Sequence, residues 1–244
     1  MSCFTLRALY LTLAAWPAFA LAAEPACQVR TGERLTPVIE LYTSEGCSSC
    51  PPADQWLSTL KGQPVVAQAF HVGYWNYIGW VDRFASPAHT TRQRQIAASN
   101  GLPNIYTPQF VRNGQDWRDT TRAVTATSEL ARASITLQST GGADQFEARV
   151  TPAQGVGPWT AYWTVTEHNH SSRVSAGENK GENLKHDFVV RQYTPVGNYQ
   201  GAQTLSFAAI AAIAAQAQHP RQINLVIAEP KSGKTLQAVS LNCG

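Results

Sequence analysis

The stretch from Val38 to Leu60, VIELYTSEGCSSCPPADQWLSTL, constrains the fold more than any other part of the chain. An apolar, β-prone run (Val38, Ile39, Leu41, Tyr42) predicts a strand, and Thr43 to Gly46 predicts a small polar turn. Trp56, Leu57 and Leu60 predict a helix, with Pro51 and Pro52 in its first turn, where proline is tolerated. Cys47 and Cys50 stand at the junction. A thiol at a helix N-terminus meets unpaired backbone N–H groups and the positive end of the helix dipole, and both favour the nucleophilic thiolate. Cys47 is therefore the expected attacking thiolate, as the N-terminal and more exposed member. Cys50 is the expected resolving thiol, buried beside it. Against this stands a purely structural bridge, but so short a loop would add little stability by the loop-length argument. Zinc would need two more ligands close by. His71, at the end of the next predicted strand, is one candidate, and copper(I) on Cys47, Cys50 and His71 is the most plausible metal version. The expectation is that no metal and no cofactor is held. Glu45, two residues before Cys47, either raises the thiol pKa from close by or caps the turn toward solvent, the favoured reading.

With 244 residues, 43% hydrophobic and 14% charged, the chain has length for a sizeable core and is not of disordered composition. A net charge of +3 without a dense basic block argues against a nucleic-acid surface. Residues 1–23 read as a secretory signal peptide: Arg7, then an apolar run, then small-x-small cleavage sites around Ala18 to Ala22. The expected location is periplasmic or secreted, with no membrane anchor after cleavage. Cys3 would leave with the signal, and Cys27, Cys47, Cys50 and Cys243 remain. In an oxidising compartment the neighbours Cys47 and Cys50 pair, which leaves Cys27 with Cys243; the alternative leaves both terminal thiols free.

Val65 to Val72, apolar at successive positions, predicts a strand buried on both faces, completing a βαβ unit. Gly73 to Trp80, with four aromatics, predicts a structured loop, and Tyr74, Trp75, Tyr77 and Trp80 offer a docking wall beside the dithiol or simply cover the sheet. Ser86-Pro87 predicts the cap of a helix that Asn100-Gly101 stops. Pro108 should mark a strand's first residue, and Asn113-Gly114 a tight turn. Helices are expected over Thr120 to Ala133 and Phe207 to Gln216. Beyond Ser134, short alternating runs separated by Gly, Pro, Asn and Ser predict an antiparallel β module. His168, His170 and His186, without matched spacing, read as loop histidines.

The strand–Cys47-Ser48-Ser49-Cys50–helix unit, the second buried strand and Thr107-Pro108 leading a third strand together resemble the thioredoxin fold. The resemblance implies that Pro108 is a cis-proline set against the dithiol and that Pro108 and Thr107 align an extended substrate. More closely, ELYTSEGCSSCPPAD, AFHVGYWNYIGWVDRFASPAHTTRQ, IYTPQFVRNG and GENKGENLKHDFVVR are similar to a secreted bacterial thioredoxin-like family catalogued as a domain of unknown function, of the 1223 type. That family brings an architecture and no activity. Ser48-Ser49 replaces the Gly-Pro of thioredoxin and no Trp precedes Cys47, so the direction of electron flow does not carry over. The expected fold class is α/β, a thioredoxin-like domain over 36–133 with a C-terminal antiparallel β-rich module over 134–244. The expected function is thiol–disulfide exchange: Cys47 attacks, Cys50 resolves, Thr107 and Pro108 align, and Tyr74, Trp75 and His71 contact substrate. A protein thiol or disulfide substrate and a redox partner are implied. The alternative is a non-enzymatic ligand- or metal-binding protein with a structural or vestigial dithiol.

Overall fold

The computed structural model describes residues 27–120, 124–125, 127–141, 144–211 and 218–243. The expected signal peptide lies outside them. In chain order the elements are β1 (Gln28–Arg30), β2 (Val38–Thr43), α1 (Pro51–Ser58), β3 (Val66–His71), α2 (Pro87–Ser99), β4 (Gln109–Arg112) and β5 (Gln115–Asp116). There follow β6 (Ala133–Ser139), β7 (Gln145–Pro152), β8 (Trp159–Glu167), β9 (His170–Arg173), β10 (Asn183–His186), β11 (Val189–Tyr199), β12 (Gln203–Ala208), β13 (Arg221–Ala228) and β14 (Thr235–Leu241).

The local predictions hold where chemistry is local. Ser86 caps α2 by accepting a hydrogen bond from the Ala88 N–H, and Asn100 closes it. Asn113 and Gly114 join β4 to β5 with φ of 50° and 82°, the left-handed pair that a two-residue hairpin turn requires. At the end of β4–β5 a side chain on Gly114 would collide with the Gly233 carbonyl, so only glycine lets the two turns meet.

The fold class differs from the expectation. The protein is not a thioredoxin-like α/β domain with an appended module: it is mostly β, and α1 and α2 are the only α-helices among the described residues. One eight-stranded mixed sheet, in the order β14-β13-β8-β11-β3-β2-β4-β5, takes strands from both parts of the sequence. β2 and β3 run parallel, and β11 joins β3 in parallel through Val189 opposite Ala69. A four-stranded sheet, β1-β6-β7-β12, packs on the β8–β13–β14 end around Trp159, Trp163, Ile135, Leu137 and Leu225. The physical reason is pairing. β3 is buried on both faces and needs a strand on each edge, and β11 supplies the second from far along the chain. The helix expected over Thr120 to Ala133 is absent from the described part of that span, and Ala133 begins β6. Phe207 and Ala208 of the other expected helix end β12, while 212–217 lie outside the described residues.

Side-chain alternation divides the large sheet's faces. Ile39, Leu41, Ala67 and Ala69 pack under α1, whose Ala53 and Leu57 they bury. Val38, Tyr42, Val66 and Phe70 face the other way and pack with Ile96 of α2. Among them Glu40, on the same face as Val38 and Tyr42, meets Arg92 of α2 in a two-pronged ion pair. The first and last described segments are joined by the Cys27–Cys243 disulfide, across 216 positions.

Candidate functional site

The site begins where β2 runs out. Thr43 ends the strand, Ser44 to Gly46 turn the chain, and the Cys47 N–H donates to the Ser44 carbonyl at 3.1 Å. Cys50 is the N-cap of α1, its carbonyl accepting the first helical hydrogen bonds from Ala53 and Asp54. Pro51 and Pro52 follow, with no N–H to leave unsatisfied. Cys47 and Cys50 form a disulfide. Both are buried, at 1% and 0% exposure, which corrects the expected exposure of Cys47. Its cover is the segment before β10. Asn179 donates its side-chain amide to the carbonyls of Glu45 and Cys47, at 2.8 and 3.0 Å, and the Glu178 carboxylate accepts from the Ser48 N–H at 3.1 Å. Ser48 and Ser49 themselves are exposed.

The Thr107–Pro108 peptide is cis, and Pro108 directly precedes β4. Because Tyr42 pairs with Gln109, Pro108 arrives beside the end of β2. Trp75 links the two features: its Nε1–H donates to Thr107 Oγ1 at 2.8 Å, and its Cβ lies so near Gly46 that a side chain there would be crowded to 2.9 Å. Tyr74 is half-buried against the core on the α2 side, and Tyr77 is the exposed member of the aromatic loop. Trp80 donates to Glu45 Oε2 at 2.7 Å.

Behind the disulfide turn lies a buried group of ionisable side chains. His71, at the end of β3, is fully buried and does not offer the surface contact expected of it. Its Nδ1 lies 2.7 Å from Asp82 Oδ2. Asp82 also accepts the backbone N–H groups of Glu45 and Phe84. Burial opposes its charge, but the His71 ring and these donors outweigh it and hold the carboxyl at about 2. His186, at the end of β10, has Nε2 at 3.2 Å from Glu45 Oε1 and Nδ1 at 3.6 Å from Asp54 Oδ1. Burial would lower its pKa; the carboxylates of Asp54 and Glu45 outweigh burial and raise it to about 9. Glu45 is 1% exposed, so the expected cap toward solvent is corrected: the carboxylate turns inward. Asp54, on α1, accepts from Thr43 Oγ1 at 2.6 Å. A cavity of about 580 Å³, lined by Ser48, Pro51, Asp54, Asn179, Lys185 and His186 among others, leads to this group from outside.

Sequence reasoning does not single out Asp54, Asp82 or Asn179, and it reads His186 as a loop histidine, whereas His186 ends β10 inside this group and His170 begins β9. Asp54 does sit four residues after Cys50, where one helical turn returns a side chain to the same face, and that spacing is the signal that would have found it. His168 and His170 belong elsewhere. His170 Nε2 lies 2.9 Å from Glu167 Oε2, and His168 Nδ1 lies 3.5 Å from Asp187.

A family model described as "Protein of unknown function (DUF1223)" matches residues 38–228. No curated protein matches the chain. Among solved structures, an Agrobacterium tumefaciens protein determined by a structural genomics consortium is 26% identical, with a TM-score of 0.66, over 88% of this chain and 97% of that one. HBP35 of Porphyromonas gingivalis is 13% identical, with a TM-score of 0.61, over 86% of this chain and 75% of that one, a likeness of fold alone.

Proposed function

The chain belongs to the DUF1223 family, whose description names no activity, and we propose from its own site that it exchanges thiols and disulfides with a protein partner outside the cytoplasm. The observation that carries this reading is the position of the Cys47–Cys50 bridge, a three-residue separation closed at the first turn of α1. The chain-entropy model assigns so small a loop about 2 kcal/mol, against about 5 kcal/mol for a loop the size of that closed by Cys27–Cys243. A bridge that contributes little to stability, at a helix end that stabilises a thiolate, suits a cycling role.

In the reduced protein the Cys47 thiolate attacks one sulfur of a partner disulfide, and the partner's other sulfur leaves as a thiolate. The Cys50 thiolate then attacks the Cys47 sulfur and releases the partner's second thiolate. The partner gains two electrons, and the Cys47–Cys50 bond holds the oxidised equivalent. The reverse sequence oxidises a partner dithiol. A second thiol–disulfide protein returns the pair to its starting state. Thr107 and Pro108, linked to the turn through Trp75, would align the partner's chain, and the Asn179 segment must withdraw before any sulfur is reached. Two disulfides accord with export to an oxidising compartment. Among the described residues no helix is long and apolar enough to cross a membrane.

The test removes the resolving thiol. Cys50→Ser protein incubated with oxidised glutathione under native conditions should carry one glutathione on Cys47 by intact mass, and a Cys47→Ser, Cys50→Ser control should carry none. If Cys47 stays unmodified in the folded Cys50→Ser variant, the exchange reading fails.

A further inference from the structure

The geometry points to a divalent metal site of the zinc class formed by Asp54, His71 and His186, a site that does not use the cysteines. One ligand atom from each of these three residues lies within 4.8 Å of the others, and all three residues are buried. They come from three elements, α1, the end of β3 and the end of β10, so the convergence belongs to the tertiary fold and not to one turn.

His71 carries the argument. Asp82 accepts at Nδ1, which places the proton of the neutral ring on that nitrogen and leaves a lone pair on Nε2. His71 is fully buried and Nε2 has no hydrogen-bond partner. A buried acceptor without a donor is destabilising, so an unfilled lone pair here calls for an occupant. A histidine oriented by a carboxylate through one nitrogen, with its other nitrogen unpaired and a second histidine and a carboxylate close by, fits the outer-shell arrangement of metal-ligating imidazoles. His186 agrees: neither ring nitrogen makes a hydrogen bond, although carboxylates stand at 3.2 and 3.6 Å. Glu45 Oε1, 3.2 Å from His186 Nε2, is likewise without a hydrogen bond.

The donor set selects the ion. Two imidazoles and a carboxylate suit Zn²⁺, whereas Ca²⁺ and Mg²⁺ take oxygen ligands. The cavity lined by Asp54 and His186 provides the entry path. Three protein ligands leave one position of a tetrahedral ion for water or a ligand entering from the cavity.

The site is tested on untagged, chelator-stripped full-length protein carrying Cys3→Ser, with both disulfides intact, so that no thiol competes. Titration with Zn²⁺ in a calorimeter should give one saturable site, and Co²⁺ at that site should show visible ligand-field bands. Asp54→Asn and His71→Asn should each remove the saturable site, and Asp82→Asn should weaken it about 10–100-fold. A Cys47→Ser, Cys50→Ser double variant should bind as the parent does, so the site stands or falls apart from disulfide exchange. His71 is buried, so each variant's melting curve is recorded alongside; Asp54→Asn, near-isosteric beside Thr43, serves if His71→Asn does not fold. No saturable site in the parent, or unchanged affinity in folded Asp54→Asn, overturns the inference.

Discussion

Removing Arg92 should cost the protein considerable stability. Arg92 reaches from α2 to Glu40 on β2, with Nε 2.9 Å from Oε2 and Nη2 2.5 Å from Oε1. The same carboxylate accepts from Tyr42 at 2.7 Å and from Tyr162 of β8 at 2.8 Å, and the guanidinium lies 3.9 Å from the Tyr162 ring. The Glu40 side chain is 2% exposed, so water cannot replace the guanidinium. Arg92→Met keeps the aliphatic packing and leaves an uncompensated buried charge, at a cost of about 3–5 kcal/mol. Glu40→Gln, Arg92→Met removes the charge together with its partner and should recover more than half of that loss, because a neutral amide still bonds both tyrosines. Urea unfolding followed by tryptophan fluorescence, with disulfides intact and the m-value compared, measures all four corners of the cycle. A loss below about 1 kcal/mol for Arg92→Met, or strictly additive single variants, would refute the claim that this pair is a desolvated charge joint between α2 and the large sheet.

Four further outcomes are expected. Cys27→Ala, Cys243→Ala should lose about 3 kcal/mol more stability than Cys47→Ala, Cys50→Ala, the difference between the two loop closures, read from urea midpoints. Asn179→Ala removes two hydrogen bonds of about 1 kcal/mol each from the cover of Cys47, so reduction of the Cys47–Cys50 bond by dithiothreitol should accelerate up to about 30-fold in quenched alkylation. Trp75→Phe removes the donor to Thr107 while keeping an aromatic ring, and should slow glutathionylation of Cys47 in the Cys50→Ser background without lowering the melting temperature by more than a few degrees. Burial pushes the His170 imidazole down despite Glu167, whose charge Arg191 and Arg221 already face, while His219 stacks on the ring. The folded state thus favours neutral His170: this stability is present above the unfolded value of about 6.5 and is lost as pH falls below it, so His170→Gln should flatten the loss measured between pH 7 and 5.

What the sequence made legible was what neighbours in sequence decide. Ser86-Pro87 and Asn100 bound α2, Asn113-Gly114 turns a hairpin, and Cys47 and Cys50 meet across one turn, because each of these rests on groups a few residues apart. The chemistry beside the disulfide was hidden because its partners are remote. His186 stands against Asp54 and Glu45 from more than a hundred positions away, and nothing in its flanking residues reports that. Glu45 reads as a solvent-facing acid until Trp80 and His186 are placed around it. The fold class failed for a related reason. The alternating runs beyond Ser134 are legible as strands, yet the place of β11 beside β3 is decided by an edge that β3 leaves open, a long-range pairing without a local signature. A βαβ unit followed by β-prone runs is compatible with two separate layers or with one continuous sheet, and only pairing across the chain selects the second.

The redox potential of the Cys47–Cys50 pair tests the functional proposal most directly. Folded protein is equilibrated with glutathione buffers of graded potential, quenched, alkylated and read by intact mass, with Cys47→Ser as the control. A midpoint between about −120 and −270 mV, where working oxidoreductases lie, is the predicted result, and its value assigns the direction of electron flow. A pair still locked below about −300 mV is a structural bridge, and thiol–disulfide exchange is then not what this protein does.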